Sequence, residues 1–178
     1  MPRPLVMCLV AVLLTGCASD ATYQGKTAAH WNQMLLDRDE GYRVQALTAL
    51  GELGPGAEGA SPNVRRVIAD RQHNSWETRL KAATVLWKIS EKPNETVMPR
   101  LVKWLRDPSD AEAQFGAEAA GRIGPDARQA LPALRERYAV VDRKLAAMEE
   151  SERASSDAAV LRKALVDAIS SVSGGGGA

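Results

Sequence analysis

One stretch of this chain recurs, and the recurrence limits what it can fold into. Tyr42 to Pro55 reads YRVQALTALGELGP and Ala111 to Pro125 reads AEAQFGAEAAGRIGP, so Leu53-Gly54-Pro55 falls on Ile123-Gly124-Pro125 seventy positions later. Between them Glu77 to Ser90, ETRLKAATVLWKIS, supplies a third copy at an offset of thirty-six from the first: Arg43 falls on Arg79, Ala46 on Ala82, Leu50 on Leu86 and Leu53 on Ile89. A period of about 34 to 36 residues is that of a helical hairpin too small to bury its own apolar face. Such hairpins stack side by side, and the predicted fold is an all-α solenoid. That architecture offers a surface that holds partners rather than a pocket that does chemistry.

Within the first copy Tyr42, Ala46, Ala49, Leu50 and Leu53 are spaced as the stripe of a helix with one buried face, while Gln45, Thr48 and Glu52 fall outside it. Gly54-Pro55-Gly56 ends this helix with a residue tolerant of positive φ and one that cannot continue it, and Gly124-Pro125 repeats the device. The partner helices register too. Pro62, Pro99 and Pro132 each stand two positions before an apolar residue, at offsets of thirty-seven and thirty-three. A proline at one phase of every unit fits the first helical turn, where its missing N–H has no intrahelical acceptor to serve. Each unit therefore reads as helix A, a turn carrying Asp, helix B and a Gly/Pro turn.

These features resemble the HEAT family, specifically the short HEAT-like repeats also found in phycobilisome lyases. The resemblance is carried by the endings Ala49-Leu50-Gly51-Glu52-Leu53-Gly54 and Ala119-Ala120-Gly121-Arg122-Ile123-Gly124, by the A-helix proline, and by Arg43 and Arg79 near B-helix starts, with Asp37 in the preceding turn. It covers about residues 27 to 135, with a looser fourth unit to about 172, and it implies three to four helical hairpins. Three departures stand out. Ala113 occupies the Arg position of the third unit, Trp87 replaces the Gly of Gly51 and Gly121, and the fourth unit is stretched to an offset of forty-nine.

The stretch has its own pattern. Leu131, Leu134, Tyr138, Val141, Leu145 and Met148 form an apolar seam, answered by Leu161, Leu165, Ala168 and Val172. The spacing predicts one long helix over 127–152 folded back through Ala154-Ser155-Ser156-Asp157, with Asp157 as N-cap. This longer C-terminal hairpin would either cap the stack or project as an arm for another chain.

The first twenty residues belong to an address rather than to the fold. Leu5 to Leu14 is a ten-residue apolar run, too short to span a bilayer, and it follows Arg3 and precedes Leu14-Thr15-Gly16-Cys17. Leu-Thr-Gly-Cys resembles the lipobox of bacterial lipoproteins, which implies cleavage after residue 16 and a lipid on Cys17. Expected boundaries are thus a signal over 1–16, a flexible tether over 17–26, the repeat domain over 27–172 and a Gly-rich tail over 173–178. The other thiol, Cys8, lies inside the signal, so the mature chain could form no internal disulfide. Ala18 after the lipidated cysteine resembles the sorting pattern that favours the outer membrane. Loss of residues 1–16 removes one Arg and no acid, leaving twenty-two basic and twenty-two acidic side chains. A neutral mature chain argues against nucleic acid as partner and makes the lipid the main anchor.

No arrangement of residues points to catalysis, a cofactor, a metal or a small-molecule substrate. His30 and His73 lack the neighbouring ligands of a metal site, and the serines near the C-terminus have no partnered His. Partner binding is expected instead on the B helices, whose outward positions are predicted to group Gln45, Lys81 and Phe115, then Thr48, Thr84 and Glu118, then Glu52, Lys88 and Arg122. Relatives of the HEAT family carry contacts on this inner wall, and Trp87 joins Phe115 as an aromatic candidate hot spot. The expected function is a lipid-anchored scaffold for an unnamed protein in the bacterial envelope. Two alternatives stay open: a bilin lyase or assembly factor, implied by the repeat type alone, and a structural protein that self-associates through its C-terminal hairpin.

Overall fold

The structure is a computed structural model, and it describes residues 21–174. The proposed signal, Cys17 and the last four residues lie outside that range.

Four helices begin where the sequence places an oxygen-bearing side chain at the N-cap. Thr27, Asp39, Ser75 and Ser156 accept from the amides of His30, Gly41, Thr78 and Ala159, giving α1 (Ala28–Met34), α2 (Glu40–Leu53), α4 (Trp76–Ile89) and α10 (Asp157–Ser173) their first turns. Ser156, rather than Asp157, is therefore the cap of the last helix. The remaining helices are α3 (Ser61–Ala69), the single turn α5 (Pro93–Thr96), α6 (Met98–Leu105), α7 (Asp110–Ile123), α8 (Leu131–Ala146) and the single turn α9 (Glu150–Arg153). Pro62, Pro99 and Pro132 sit in the first turns of α3, α6 and α8, as their common phase predicts. Gly54 and Gly124 end α2 and α7 at φ 58° and 75°, and each opens a 3-10 segment, Gly54–Ala60 and Gly124–Ala130.

The fold is all-α apart from one two-residue-per-strand hairpin. The B helices α2, α4, α7 and α10 each pack against the next, while α3, α6 and α8 pack against α4, α7 and α10. The core runs the length of this arrangement and is built from alanine and leucine, with Ala46, Ala82, Ala119 and Ala120 fully enclosed beside Leu47, Leu50, Leu80, Leu86, Leu134, Leu161 and Leu165. Small side chains let helices approach. A Cβ on Gly51 would lie 3.3 Å from Val85 Cγ2, one on Gly121 3.4 Å from Ala168 Cα, and one on Gly116 2.9 Å from Trp104 Cβ and 3.0 Å from the Leu105 nitrogen.

The first two glycines explain the odd residue of the second unit. Gly51 and Gly121 stand where α2 meets α4 and α7 meets α10, whereas Trp87 holds the same position on α4. There α4 and α7 meet less extensively than either flanking pair, and Trp87 is almost fully covered. The B helices thus form two closely packed pairs, α2 with α4 and α7 with α10, with a less extensive joint between α4 and α7. Trp76 of α4 meets Phe115 of α7 edge to face across that joint, at a centroid distance of 5.4 Å, and Trp104 of α6 meets it edge to face at 5.0 Å.

Three sequence-based expectations change. Tyr42, assigned to the buried stripe of α2, is 48 % exposed, and Arg43 and Leu47 are buried in its place. The long helix expected over 127–152 breaks: 124–130 is 3-10, α8 ends at Ala146, and a turn with α9 leads into α10. Sixteen residues then face seventeen, so the C-terminal hairpin has no projecting excess. The seam itself holds, with Leu134, Val141 and Leu145 buried against Leu161, Leu165, Ala168 and Val172. Finally, the part of the tether that is described is not coil. Thr22–Tyr23 (β1) pairs antiparallel with Lys26–Thr27 (β2) across Gln24 and Gly25, both at positive φ, the turn geometry of a tight hairpin. Trp31 Nε1 donates to the Tyr23 carbonyl at 3.2 Å and Lys26 Nζ lies 4.9 Å from the Trp31 ring centroid, so the hairpin packs on the indole of α1.

Neighbouring units also cap one another. Glu40, at the start of α2, receives the Ser75 N–H at 2.7 Å and so places a carboxylate at the N-terminus of α4. Hydrogen bonds from Thr78 and Ser75 hold its carboxyl down at about 2. A folded-state value below the ordinary carboxylate value means the interaction stabilises the fold above the unfolded pKa of 4.5 and is lost as pH falls through the folded value. Wild type is expected to lose stability between about pH 4.5 and 2 at this site, and Glu40→Gln to lack that increment. Because the carboxylate stays open to water, the difference should be under ~1 kcal/mol; urea midpoints at pH 6 and pH 3 check it.

Candidate functional site

The outward edges of the B helices form the face where partner contacts are expected, and their local chemistry sorts the expected residues into two groups. On α4, residues 81, 84 and 88 recur at helical spacing and share one side. Lys81, Thr84 and Lys88 line a shallow groove of about 150 Å³ with Thr48, Gly51 and Glu52 of α2 across from them. Lys88 is exposed, and Lys81 and Thr84 are half-buried. Thr84 spends its hydroxyl on its own helix, donating to the Leu80 carbonyl at 3.1 Å, as Thr48 does to Val44 at 3.0 Å. The lysines are the free groups here. Neither is in an ion pair among the described residues.

Glu118 and Arg122 line a second, larger groove of about 460 Å³ between α7 and α10, floored by the small residues Ala117, Gly121, Ala164 and Ala168. These two charges are engaged within the chain. Arg122 makes a two-point pair with Glu77 of α4, both bonds at 2.7 Å, and Glu118 accepts from Trp76 Nε1 and Gln114 Nε2, also at 2.7 Å. The Arg122 hydrogen bond lowers the Glu77 carboxyl below its ordinary range, and the same bond raises the Arg122 guanidinium. Both side chains stitch the loose α4–α7 joint. Gln45 is exposed on α2 and lies in neither groove.

The two aromatic candidates are corrections. Phe115 is fully buried, between Trp76 and Trp104, with the Arg79 guanidinium 4.7 Å from its ring centroid. Trp87, 9 % exposed, belongs to the buried core. Phe115 is predicted outward by carrying the register of α2 onto α7, where that register fails; Trp87 holds the position of Gly51 and Gly121 and is buried there. No family model, no curated protein and no solved structure matches the chain.

Sequence reasoning missed Glu77 and Gln114, the partners of Arg122 and Glu118. Glu77 and Arg122 are forty-five residues apart, a spacing that matches no multiple of the repeat and follows only from how α7 crosses α4. Gln114 and Glu118 are four apart on one helix and could have been read as a pair. Among the described residues no group of three His, Cys, Asp or Glu converges as a metal site would, and no helix is long and apolar enough to cross a membrane.

Proposed function

We propose that this chain is a HEAT-like α-solenoid lipoprotein, anchored in a bacterial envelope membrane through a lipid on Cys17, whose B-helix face holds a protein partner. The observation that carries the partner reading is the groove between α2 and α4, lined by Lys81 and Lys88 with the single carboxylate Glu52 across from them, neither lysine being in an ion pair among the described residues. A groove lined by two cations and one carboxylate favours an acidic segment on the partner. The remaining face is held by ion pairs internal to the chain and supplies shape more than charge. The seventy-position repeat and the A-helix prolines support the solenoid reading, and Leu14-Thr15-Gly16-Cys17 supports the anchor.

Both parts are testable. Cells fed a clickable fatty acid should label the wild-type chain and not Cys17→Ser; equal labelling, or none in either, removes the lipoprotein reading. Crosslinking in intact cells should then capture a defined partner with wild type, and Lys81→Glu/Lys88→Glu should reduce the yield about tenfold or more, as reversal of two interfacial charges costs a few kcal/mol. Capture that is unchanged in the double variant places the contact elsewhere on the chain. Lys88 is exposed and Lys81 half-buried at the groove's edge, and neither is in an ion pair, so the melting temperature should hold within about 4 °C.

A further inference from the structure

The turns before the B helices meet from one unit to the next. Arg43 joins the turn before α2 to the turn before α4, and Arg71, in the latter, pairs with Glu112 in the first turn of α7. Asp37 and Asp70 hold equivalent places in the first two turns: each carboxylate accepts the amide two residues on, that of Asp39 at 2.8 Å and that of Gln72 at 3.1 Å. The residue after each is an arginine, Arg38 in the first turn and Arg71 in the second. Glu112 stands one place before Ala113 and therefore corresponds to Thr78, one place before Arg79. On α4, the next B helix after the turn of Arg38, the carboxylate that Arg71 meets on α7 is thus replaced by a buried, neutral threonine.

Arg38 instead lines a cleft of about 690 Å³ where α1 and α3 end, and Arg66 of α3 lines the same cleft. Both side chains are exposed, and neither is in an ion pair among the described residues. Farther along the chain Arg106 is matched by Glu136, and Arg137 and Lys144 by Asp110. Buried Arg43 adds a third positive charge to the wall, with its N–H groups already given to Asn74 and three carbonyls. The carboxylates of the cleft are Asp37 and Asp70, each holding turn amides, and Asp70 also holds the His73 ring at 3.0 Å. Three guanidiniums against two carboxylates leave the lining at +1 with His73 neutral.

The cleft is apolar as well as basic. Leu36, next to Arg38, is 49 % exposed, and Leu35 and Val67 line the wall with it. A free guanidinium beside an open leucine matches a carboxylate that has an apolar neighbour. Leu36, Arg38, Arg66 and Ala69 all stay open to water, so a small molecule here would lack the cover that small-ligand sites provide. A protein segment brings its own cover. We propose that this cleft binds an acidic segment of a partner protein, with Arg38 and Arg66 donating to its carboxylates and Leu36 packing on an adjacent apolar side chain. The cleft shares no residue with the groove of Lys81 and Lys88, and the contact requires neither that groove nor the lipid.

The test is a nitrogen-15 NMR titration of the mature chain, residues 17–178, in mildly acidic buffer where the probe's carboxylates remain ionised. The probe is acetyl-Leu-Glu-Glu-amide, and acetyl-Leu-Gln-Gln-amide is its neutral control. The Nε–Hε peaks of Arg38 and Arg66 should move saturably with the glutamate peptide, with a Kd of about 1 mM or tighter, while that of the paired Arg106 stays in place. Arg38→Gln/Arg66→Gln should weaken binding about tenfold or more. Both side chains are exposed, so the rest of the amide spectrum should hold. No saturable shift up to about 10 mM, equal shifts with the glutamine peptide, or unchanged affinity in the double variant overturns the proposal. Shifts at Lys81 and Lys88 with Arg38 and Arg66 unmoved place the acidic contact in the other groove and overturn this site alone. Inorganic phosphate that moves the same arginine peaks at lower concentration than the peptide makes the ligand a phosphate and overturns the protein assignment.

Discussion

Phe115→Ala is expected to lower stability by about 3 to 5 kcal/mol, one of the two largest effects a single substitution should have here. Phe115 has no exposed surface, and it fills the joint between α4 and α7. Removing its ring takes away two edge-to-face contacts, with Trp76 and Trp104, and leaves a void where those helices are already less extensively packed. It also strips the face that lies under the Arg79 guanidinium. Burial together with Arg71 pushes the Arg79 pKa down, so that side chain is already held at some cost to its solvation. The void cannot close easily, because Gly116 next door lets Trp104 touch the backbone of α7 and fixes the crossing of α6 and α7. Urea unfolding checks the size of the effect. A shift in midpoint without a change in slope marks a packing loss in an otherwise native molecule. A partner hot spot would behave oppositely, with stability unchanged and binding lost, so a loss under ~1 kcal/mol would refute the buried role.

Arg43→Met should cost about 3 kcal/mol, from the opposite kind of chemistry. The Arg43 guanidinium donates from Nε to Asn74 Oδ1 at 2.8 Å, from Nη1 to the Asp37 and Arg38 carbonyls at 2.7 and 2.9 Å, and from Nη2 to the His73 carbonyl. It therefore gathers the turn before α2 and the turn before α4 around one buried cation. All four acceptors are neutral; the turn aspartate contributes its carbonyl rather than its carboxylate. Methionine keeps much of the volume and leaves these acceptors unpaired, Asn74 in particular, which is itself buried. Lysine should not rescue, since a point ammonium cannot serve four acceptors set out for a planar fork. Thermal melts of Arg43→Met and Arg43→Lys check this. If lysine restores the wild-type midpoint, the charge matters and the fork geometry does not.

Arg79 shows how the repeated position drifts along the chain. It keeps one element of the arrangement, Nε donating to the Ile68 carbonyl at 2.7 Å, and turns the rest of its guanidinium over Phe115. In the third unit Ala113 is buried with no polar atom at all, and in the fourth Arg162 is exposed, donating to Asp142 at 2.9 Å and lying over Tyr138. The units thus share a helical outline while the interaction that ties one turn to the next is replaced from unit to unit.

What was legible in the residues was local or periodic. Helix class, the proline phase, the positive-φ glycines at 54 and 124, the close approaches at Gly51 and Gly121 and the seam of the last hairpin all follow from rules acting within about one turn of helix or one repeat. What escaped depended on how one helix lies across another. Projection of the α2 register onto α7 placed Phe115 outside, because a repeat offset says which residues correspond and not how far neighbouring helices have slid or separated. Tyr42 failed in another way: its helical phase matched the stripe, yet in the first turn of α2 it is 48 % exposed.

The candidate face divides along the same line. Lys81, Thr84 and Lys88 were found by spacing on a single helix, and they do line one groove. Glu118 and Arg122 were found by the same spacing, yet their charges are consumed by Trp76, Gln114 and Glu77, partners that only the crossing of α4 and α7 supplies. By itself the amino-acid sequence determined the helices, their ends and their recurrence, because backbone sterics and apolar periodicity act over a few residues. The tertiary structure alone decided which charges remain free and which aromatics are hidden, and where the chain closes its own ends, because those depend on distances between segments that no local rule encodes.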